Sequence, residues 1–152
     1  MFRGVNNLTV DAKGRMAVPT RYRERINELS QGRMVLTIDT EESCLLLYPL
    51  PAWKEVEEKL VALPSFNKKA RRVQRLLMGH ATEVDMDGHG RLLLPPPLRA
   101  FAGLDRKIVL IGQGTKFEVW DEQTWIERRD SWLEEDNEMD LGDGSGLETL
   151  SL

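Results

Sequence analysis

The stretch Asp11-Ala12-Lys13-Gly14-Arg15-Met16-Ala17-Val18-Pro19 returns as Asp87-Gly88-His89-Gly90-Arg91-Leu92-Leu93-Leu94-Pro95. Subtracting 11 from 87, or 15 from 91, gives the same offset of 76 residues. Such a repeat decides the architecture before any single element does, because each copy must be placed against the other. In both copies the Asp carboxylate can accept from backbone N–H groups further round a turn. The Gly can take the positive φ that closes it. Leu8 and Val10 before the first turn, with Met16 and Val18 after it, predict a tight β-hairpin. Asp11 and Arg15 flank that turn, either paired or with the Arg presented outward.

Working outward, the first copy carries strands expected at 5–10, 15–18, 34–38 and 44–48. A short basic helix over 20–29 starts after Pro19 and stops at Gly32. The second copy repeats the plan with strand residues 84–86, 92–94, 108–111 and 116–120 and a short helix over 98–101 ending at Gly103. Tyr48 and Trp53 align with Trp120 and Trp125 at an offset of 72, so the loop between the last two strands is shorter in the second copy. Helices over 52–63 and 67–80, parted by Pro64, join the copies, and a further helix over 122–134 follows them. The expected division is 5–51 for a first domain, 52–80 for linking helices, 81–125 for a second domain and 126–152 for the rest.

A unit of this size is marginal for a core of its own. The two copies must therefore share one core by interlocking, and leftover sheet edges invite further subunits. Residues 136–152 are acidic and Gly-rich and are expected to be largely disordered.

With 41% hydrophobic and 30% charged residues the chain reads as soluble and globular. It carries no apolar run of the roughly 20 residues that a membrane span needs, and the start Met1-Phe2-Arg3-Gly4 lacks the apolar core of a signal peptide. A single cysteine, Cys44, sits in an apolar run and suits packing in a reducing compartment. The net charge of -4 is unevenly spread. Arg3, Lys13, Arg15, Arg21, Arg23, Arg25 and Arg33 crowd the first 33 residues against Asp11, Glu24 and Glu28. Nine acids stand against Arg128 and Arg129 from residue 127 onward. A slightly basic body with an acidic tail is compatible with a polyanion partner held by a patch. The helix over 67–80 carries Lys68, Lys69, Arg71, Arg72 and Arg75 without an acid, which suits a nucleic-acid face or a solvated or acid-paired one.

Several elements together resemble the MraZ family: the opening Met1-Phe2-Arg3-Gly4, the first Asp11-x-Lys13-Gly14-Arg15-x3-Pro19, and Leu46-Leu47-Tyr48-Pro49. Arg71-Arg72-Val73-Gln74-Arg75 and the second Asp87-x2-Gly90-Arg91-x3-Pro95 complete the set. The match covers roughly residues 1–130 and leaves the tail out. The resemblance implies a mainly β fold with α: two tandem AbrB-like (SpoVT-AbrB) swapped-hairpin half-barrels interlocked into one β-barrel-like core, with helices between and after the repeats. It further implies a cytoplasmic, nucleoid-associated transcriptional regulator that forms a ring-shaped homo-oligomer. Such a regulator binds direct repeats upstream of its own gene, at the head of the division and cell-wall gene cluster, and typically represses that promoter.

The partner expected is double-stranded promoter DNA, with no membrane, small-molecule substrate or cofactor. Phosphate contacts need Lys and Arg, and an Arg fork can read guanine in the major groove. At the offset of 76, Arg3 becomes Gly79, Lys13 becomes His89, Arg21 becomes Pro97 and Arg25 becomes Phe101, while Arg15 and Arg23 persist as Arg91 and Arg99. The first copy is therefore expected to touch DNA through Lys13, Gly14 and Arg15 with Arg3 beside them, and Asp11 to orient the turn. Asp87, Gly90 and Arg91 are expected to be the structural counterpart.

No metal-ligand spacing joins His80, His89 and Cys44, and no nucleophile motif appears. Gly112-Gln113-Gly114-Thr115-Lys116 lacks phosphate-loop spacing and leads into a strand, so it reads as a hairpin turn and no enzyme is expected. The rival to a DNA-binding regulator is a ring-forming protein-interaction scaffold that uses Trp120, Trp125 and Trp132 near the acidic tail.

Overall fold

The computed structural model describes residues 1–135 and 147–152. They fall into two units, Met1–Glu122 and Gln123–Leu152. The first unit runs β1 (Phe2–Thr9), β2 (Arg15–Ala17), α1 (Thr20–Ser30), β3 (Arg33–Ile38), β4 (Leu45–Pro49), α2 (Leu50–Val61) and α3 (Lys68–Leu77). It continues with β5 (Thr82–Asp85), β6 (Arg91–Leu93), α4 (Pro96–Ala102), β7 (Lys107–Gly114) and β8 (Phe117–Asp121). Helix α5 (Glu122–Glu135) starts at the last residue of the first unit and otherwise belongs to the second. Mainly β with α is thus the architecture, and the expected elements are present with ends shifted by a few residues. The expectation of a disordered tail falls partly on 136–146, outside the described residues; Leu147–Thr149 forms a 3-10 turn.

The strands pair across the repeat. A six-stranded antiparallel sheet has the order β1-β7-β8-β4-β3-β5, and β2 and β6 form a separate two-stranded ribbon. The first strand of each copy pairs with the third strand of the other, β1 with β7 and β5 with β3. Second strands pair with each other, as do fourth strands. Only β3–β4 and β7–β8 are hairpins within a copy. This corrects the expectation that 5–10 and 15–18 pair as one tight hairpin. The turn between them forms, but a single bridge, Val10 to Met16, is all that joins its arms. Their ladders belong to β7 and β6, and this exchange is how two marginal copies come to share a core.

The sheet's two faces follow the alternation of side chains along each strand. Met34, Leu36 and Ile38 of β3 and Leu45 and Leu47 of β4 enter the larger core. Tyr22 and Ile26 of α1, Leu98 and Ala102 of α4, and Met16 and Leu92 of the ribbon fill the same core. Val35, Leu46 and Tyr48 point the other way and meet Trp53 and Leu60 of α2, with Val73 and Leu77 of α3 packed alongside. The ladder begins at β1 and ends at β5, and the ribbon lies over the larger core, so the enclosure is barrel-like without one continuous ladder.

Both short helices after the motifs start at proline, Pro19 and Pro95, whose fixed φ suits a helix entrance. The first stops through left-handed Gln31 followed by Gly32 at φ 81, and the second through Gly103 at φ 62. Phe2, which no expected strand included, is buried against Tyr22 and Phe117 at ring-centroid distances of 5.9 and 4.4 Å. Trp120 is also buried, so it is core rather than the surface contact a scaffold would use. Strand β7 runs to Gly114 and β8 starts at Phe117, with Gln113 N–H donating to Lys116 O at 2.9 Å; the Gly-Gln-Gly segment is a hairpin turn as expected.

Helix α5 pairs its own aromatic residues along its length. It buries no residue, its Trp125 and Trp132 rings lie 6.2 Å apart, and Arg128 sits 4.9 Å from the Trp132 ring centre.

Candidate nucleic-acid interface

The first turn is organised by one carboxylate. Asp11 Oδ1 accepts from the backbone N–H of Lys13 and of Arg15, both at 2.9 Å, and Oδ2 accepts from Arg15 Nε at 2.7 Å. The backbone closes beneath it, with Asp11 N–H donating to Arg15 O and Gly14 N–H to Asp11 O, each at 3.0 Å. Gly14 sits at φ 84, a region L side chains rarely enter. The second turn repeats the set through Asp87, His89 N–H, Arg91 N–H and Arg91 Nε at 2.9, 2.9 and 3.0 Å. Its Gly90 lies at φ 76.

The backbone N–H of Arg15, and then its side chain, hold the Asp11 carboxyl below its ordinary range, and Arg91 does the same first for Asp87. Both ion pairs are exposed, so their Coulomb attraction alone contributes little stability. What they supply is geometry. Each guanidinium spends only Nε on its Asp, and among the described residues its two terminal nitrogens have no protein partner. A guanidinium with both terminal nitrogens free has the fork geometry that can grip a phosphate or a guanine edge.

The ribbon relates the turns. Arg15 stands opposite Leu93, Met16 opposite Leu92 and Ala17 opposite Arg91. Met16 and Leu92 point into the core, so Arg15, Ala17, Arg91 and Leu93 share the outer face. The two arginines are diagonal neighbours there, a spacing of roughly 7–8 Å between backbones.

Two further arginines, whose role sequence reasoning did not assign, tie each turn to the other copy. Arg99 Nε donates to Leu94 O at 3.1 Å, and its guanidinium lies where a Cβ on Gly14 would be only 3.0 Å away. Leu94 N–H donates to Gly14 O at 2.9 Å. The mirror arrangement joins Arg23 Nε to Val18 O at 2.7 Å, lays Arg23 over Gly90, and joins Val18 N–H to Gly90 O at 2.8 Å. The available signal was persistence of charge at both positions across the repeat. Arg106, from the second copy, adds an exposed cation at a groove beside the first turn that Asp11, Ala12 and Arg99 also line.

The site brings together Lys13, Gly14 and Arg15, but not Arg3. Arg3 pairs with Gln113 near the start of β1, seven residues of extended chain from Val10, which is roughly 20 Å. Its carbonyl accepts from Tyr22 Oη, and Arg21 bonds Asn6 Oδ1 and Tyr22 Oη close by.

Among the described residues one trio could offer metal ligands, Asp39, Cys44 and Glu118, with donor atoms within 4.8 Å of one another. Burial, then the nearby carboxylates, push the Cys44 thiol up strongly, and burial also raises Glu118. Cys44 is fully buried and packs in the core. No helix of the described residues is long and apolar enough to cross a membrane.

Against known proteins, the family described as "MraZ protein, putative antitoxin-like" matches twice, over residues 1–76 and 77–143. The chain is 55% identical over 152 residues, all of both chains, to a protein of Thioalkalivibrio sulfidiphilus named transcriptional regulator MraZ. A protein of Methylococcus capsulatus with the same name is 58% identical over 135 residues, covering 89% of this chain and 88% of its own. One from Legionella pneumophila, likewise named, is 51% identical over the full length of both. These regulators are not enzymes by name. With two matches that follow the repeat and full-length relatives above half identity, the chain belongs to the MraZ family.

Proposed function

We propose that this chain is a transcriptional regulator, as the relatives' names say of them, and that it acts by sequence-specific DNA binding. It binds direct repeats in the promoter of its own gene and of the downstream division and cell-wall gene cluster, and represses it. The observation that carries this reading is the outer face of the β2–β6 ribbon, where Arg15 is held by Asp11 with its terminal nitrogens free. A two-stranded ribbon fits the major groove, and an Arg fork held in place reads guanine O6 and N7.

The first copy, proposed as a DNA-contacting domain over 5–51, is the reader. Lys13 stands at its turn where the second copy has His89, and the groove beside it is lined by Arg99 and Arg106 together with the acids Asp11 and Asp105. The second copy, over 81–125, flanks its turn with the exposed acids Glu83 and Asp85. Residues 52–80 link the two. Arg3 belongs to this proposal only as a remote phosphate contact.

One subunit offers few contacts, so useful affinity comes from several subunits reading several repeats. The outer edges of β1 and β5, the two ends of the sheet and without a further strand among the described residues, suit assembly into a ring. A protein that acts on promoter DNA in this way would do so at the nucleoid, in the cytoplasm.

The test is fluorescence anisotropy of a labelled duplex from upstream of the protein's own gene against a scrambled duplex, at two salt concentrations. Selective binding that Arg15→Ala removes at unchanged oligomeric size supports the proposal. Equal affinity for both duplexes in the wild type overturns it.

A further inference from the structure

Helix α3 carries positive charge that the fold does not use. Lys68, Lys69, Arg71, Arg72 and Arg75, with Leu76, line one open groove on its outer side. All five cations are exposed, and none makes an ion pair or side-chain hydrogen bond among the described residues. An acid-paired face, one reading open from the sequence, is therefore not what this is.

The placement works against the helix. Three of the cations fall in the first turn, where the macrodipole disfavours positive charge, and no acid is there to offset them. Lys68 with Arg72 and Arg71 with Arg75 are like-charge pairs four residues apart, which destabilise an isolated helix. The helix is held by other means. Asn67 caps it by accepting from Ala70 N–H at 3.1 Å, Gln74 donates to Leu60 O at 2.8 Å, and Thr37 donates to Leu77 O at 2.6 Å. An anchored helix with an unpaired cationic outer face is preorganised for a polyanion.

We propose that the outer face of α3 is a second, sequence-independent surface for duplex DNA, separate from the reading ribbon; this rests on the DNA-binding reading above. Lys68, Arg71, Arg72 and Arg75 fall within one stripe about 100° wide at 3.6 residues per turn, and span about 10 Å along the axis. That length covers two to three successive phosphates on one strand, at about 3.4 Å of duplex axis each. Arg is the side chain that grips phosphate through two parallel bonds. An acidic protein fits less well, since stable protein contacts need buried aromatic or aliphatic anchors. The groove offers only half-buried Leu76, and Phe66 stands outside it. Val73 and Leu77 of α3 pack in the second cluster, across the sheet from Met16 and Leu92 of the ribbon, while Leu76 at the helix's flank reaches the larger core. We take the duplex held by the cationic stripe to be a different one from the duplex that the ribbon reads. The protein then holds repeat DNA with one surface and a further stretch of DNA with the other.

The experiment compares wild type, Arg15→Ala, and the triple variant Arg71→Ala/Arg72→Ala/Arg75→Ala in the full chain, after checking oligomeric size and circular dichroism. Alanine raises helix propensity at exposed positions, so the triple variant keeps α3. A triple Arg→Lys variant serves as the charge-conserving control. The triple Ala variant should lose affinity for a scrambled duplex, with the log–log salt slope falling by about two to three. It should keep its preference for the repeat duplex. Arg15→Ala should do the reverse, and the Lys variant should bind the scrambled duplex like wild type. On an immobilised repeat duplex, bound wild type should capture a second, labelled scrambled duplex and the triple Ala variant should not. Unchanged scrambled-duplex affinity and capture in the triple Ala variant overturn the proposal. So does a triple-variant defect confined to poly-glutamate binding, which assigns the face to an acidic protein. Loss of repeat selectivity in wild type instead sinks the reading ribbon, and the scrambled-duplex arm still decides α3.

Discussion

Arg15 and Arg91 stand on one exposed face of the β2–β6 ribbon, diagonal across the buried pair Met16 and Leu92. The two copies of the motif therefore do not present separate surfaces. They present one, with Lys13 weighting it toward the first turn. We expect Arg15→Ala to cost roughly 1–3 kcal/mol per reading subunit, the worth of one good Arg–guanine contact. Arg91→Ala should cost less per subunit, because its turn has His89 in place of Lys13 and acids alongside. Anisotropy titrations of both variants against the repeat duplex check the order. A larger loss in Arg91→Ala would make the second copy the reader.

Asp11 should matter to DNA binding without touching DNA. Its carboxylate holds the two N–H groups and the side chain that aim Arg15. Asp11→Ala should therefore weaken selective binding to within a factor of a few of Arg15→Ala, while Asp11→Asn, which keeps an acceptor, should weaken it less.

A pH titration reads the same carboxylates. Both folded values lie below the ordinary 3.8. Their contribution is fully present above 3.8 and is lost as the pH falls through the lower folded value. Carboxyl-carbon NMR should place both midpoints below 3.8; a midpoint at or above it would mean that the turns do not hold their acids charged in solution.

Much of this was legible locally. The Asp, Gly and Arg of each turn, the proline entrances of α1 and α4, and the strand sequences are short-range signals, and each lies where periodicity and turn chemistry put it. What local pattern cannot carry is which strand pairs with which. Leu8, Val10, Met16 and Val18 alternate as hairpin arms do, yet β1 runs beside β7, more than a hundred residues on, and β2 beside β6. Arg3 was misplaced for the same reason, since an extended strand carries it away from a turn near in sequence. The placement of Arg23 and Arg99 over the opposite copy's glycine follows only once that exchange is known.

Thr37 is the one buried polar side chain among the described residues, and its hydroxyl donates to Leu77 O at the end of α3. Thr37→Val keeps the shape and leaves that carbonyl without its donor, which should cost about 1–3 kcal/mol. Urea unfolding should show a lower midpoint at unchanged slope, and hydrogen exchange should rise along α3 before it rises in β7. Unchanged stability would mean that water replaces the hydroxyl.

The crossed arginines make the most specific demand. Arg99 lies in the second copy but packs over Gly14, and Arg23 lies in the first but packs over Gly90. A mutation should therefore loosen the turn of the copy that does not contain it. In Arg99→Ala, amide exchange should quicken at Lys13, Gly14 and Arg15, and repeat-duplex affinity should fall. In Arg23→Ala, exchange should quicken at His89, Gly90 and Arg91, with a smaller effect on affinity because that turn is not the main reader. Gly14→Ala and Gly90→Ala should each cost about 1 kcal/mol or more from positive φ alone. Gly90→Ala should cost more, because its Cβ would fall 2.2 Å from Arg23 Nε, against 3.0 Å from the Arg99 guanidinium carbon for Gly14. If instead each arginine variant disturbs the turn of its own copy, the interlock does not transmit through these side chains. The turns would then be set by their own Asp, Gly and Arg alone.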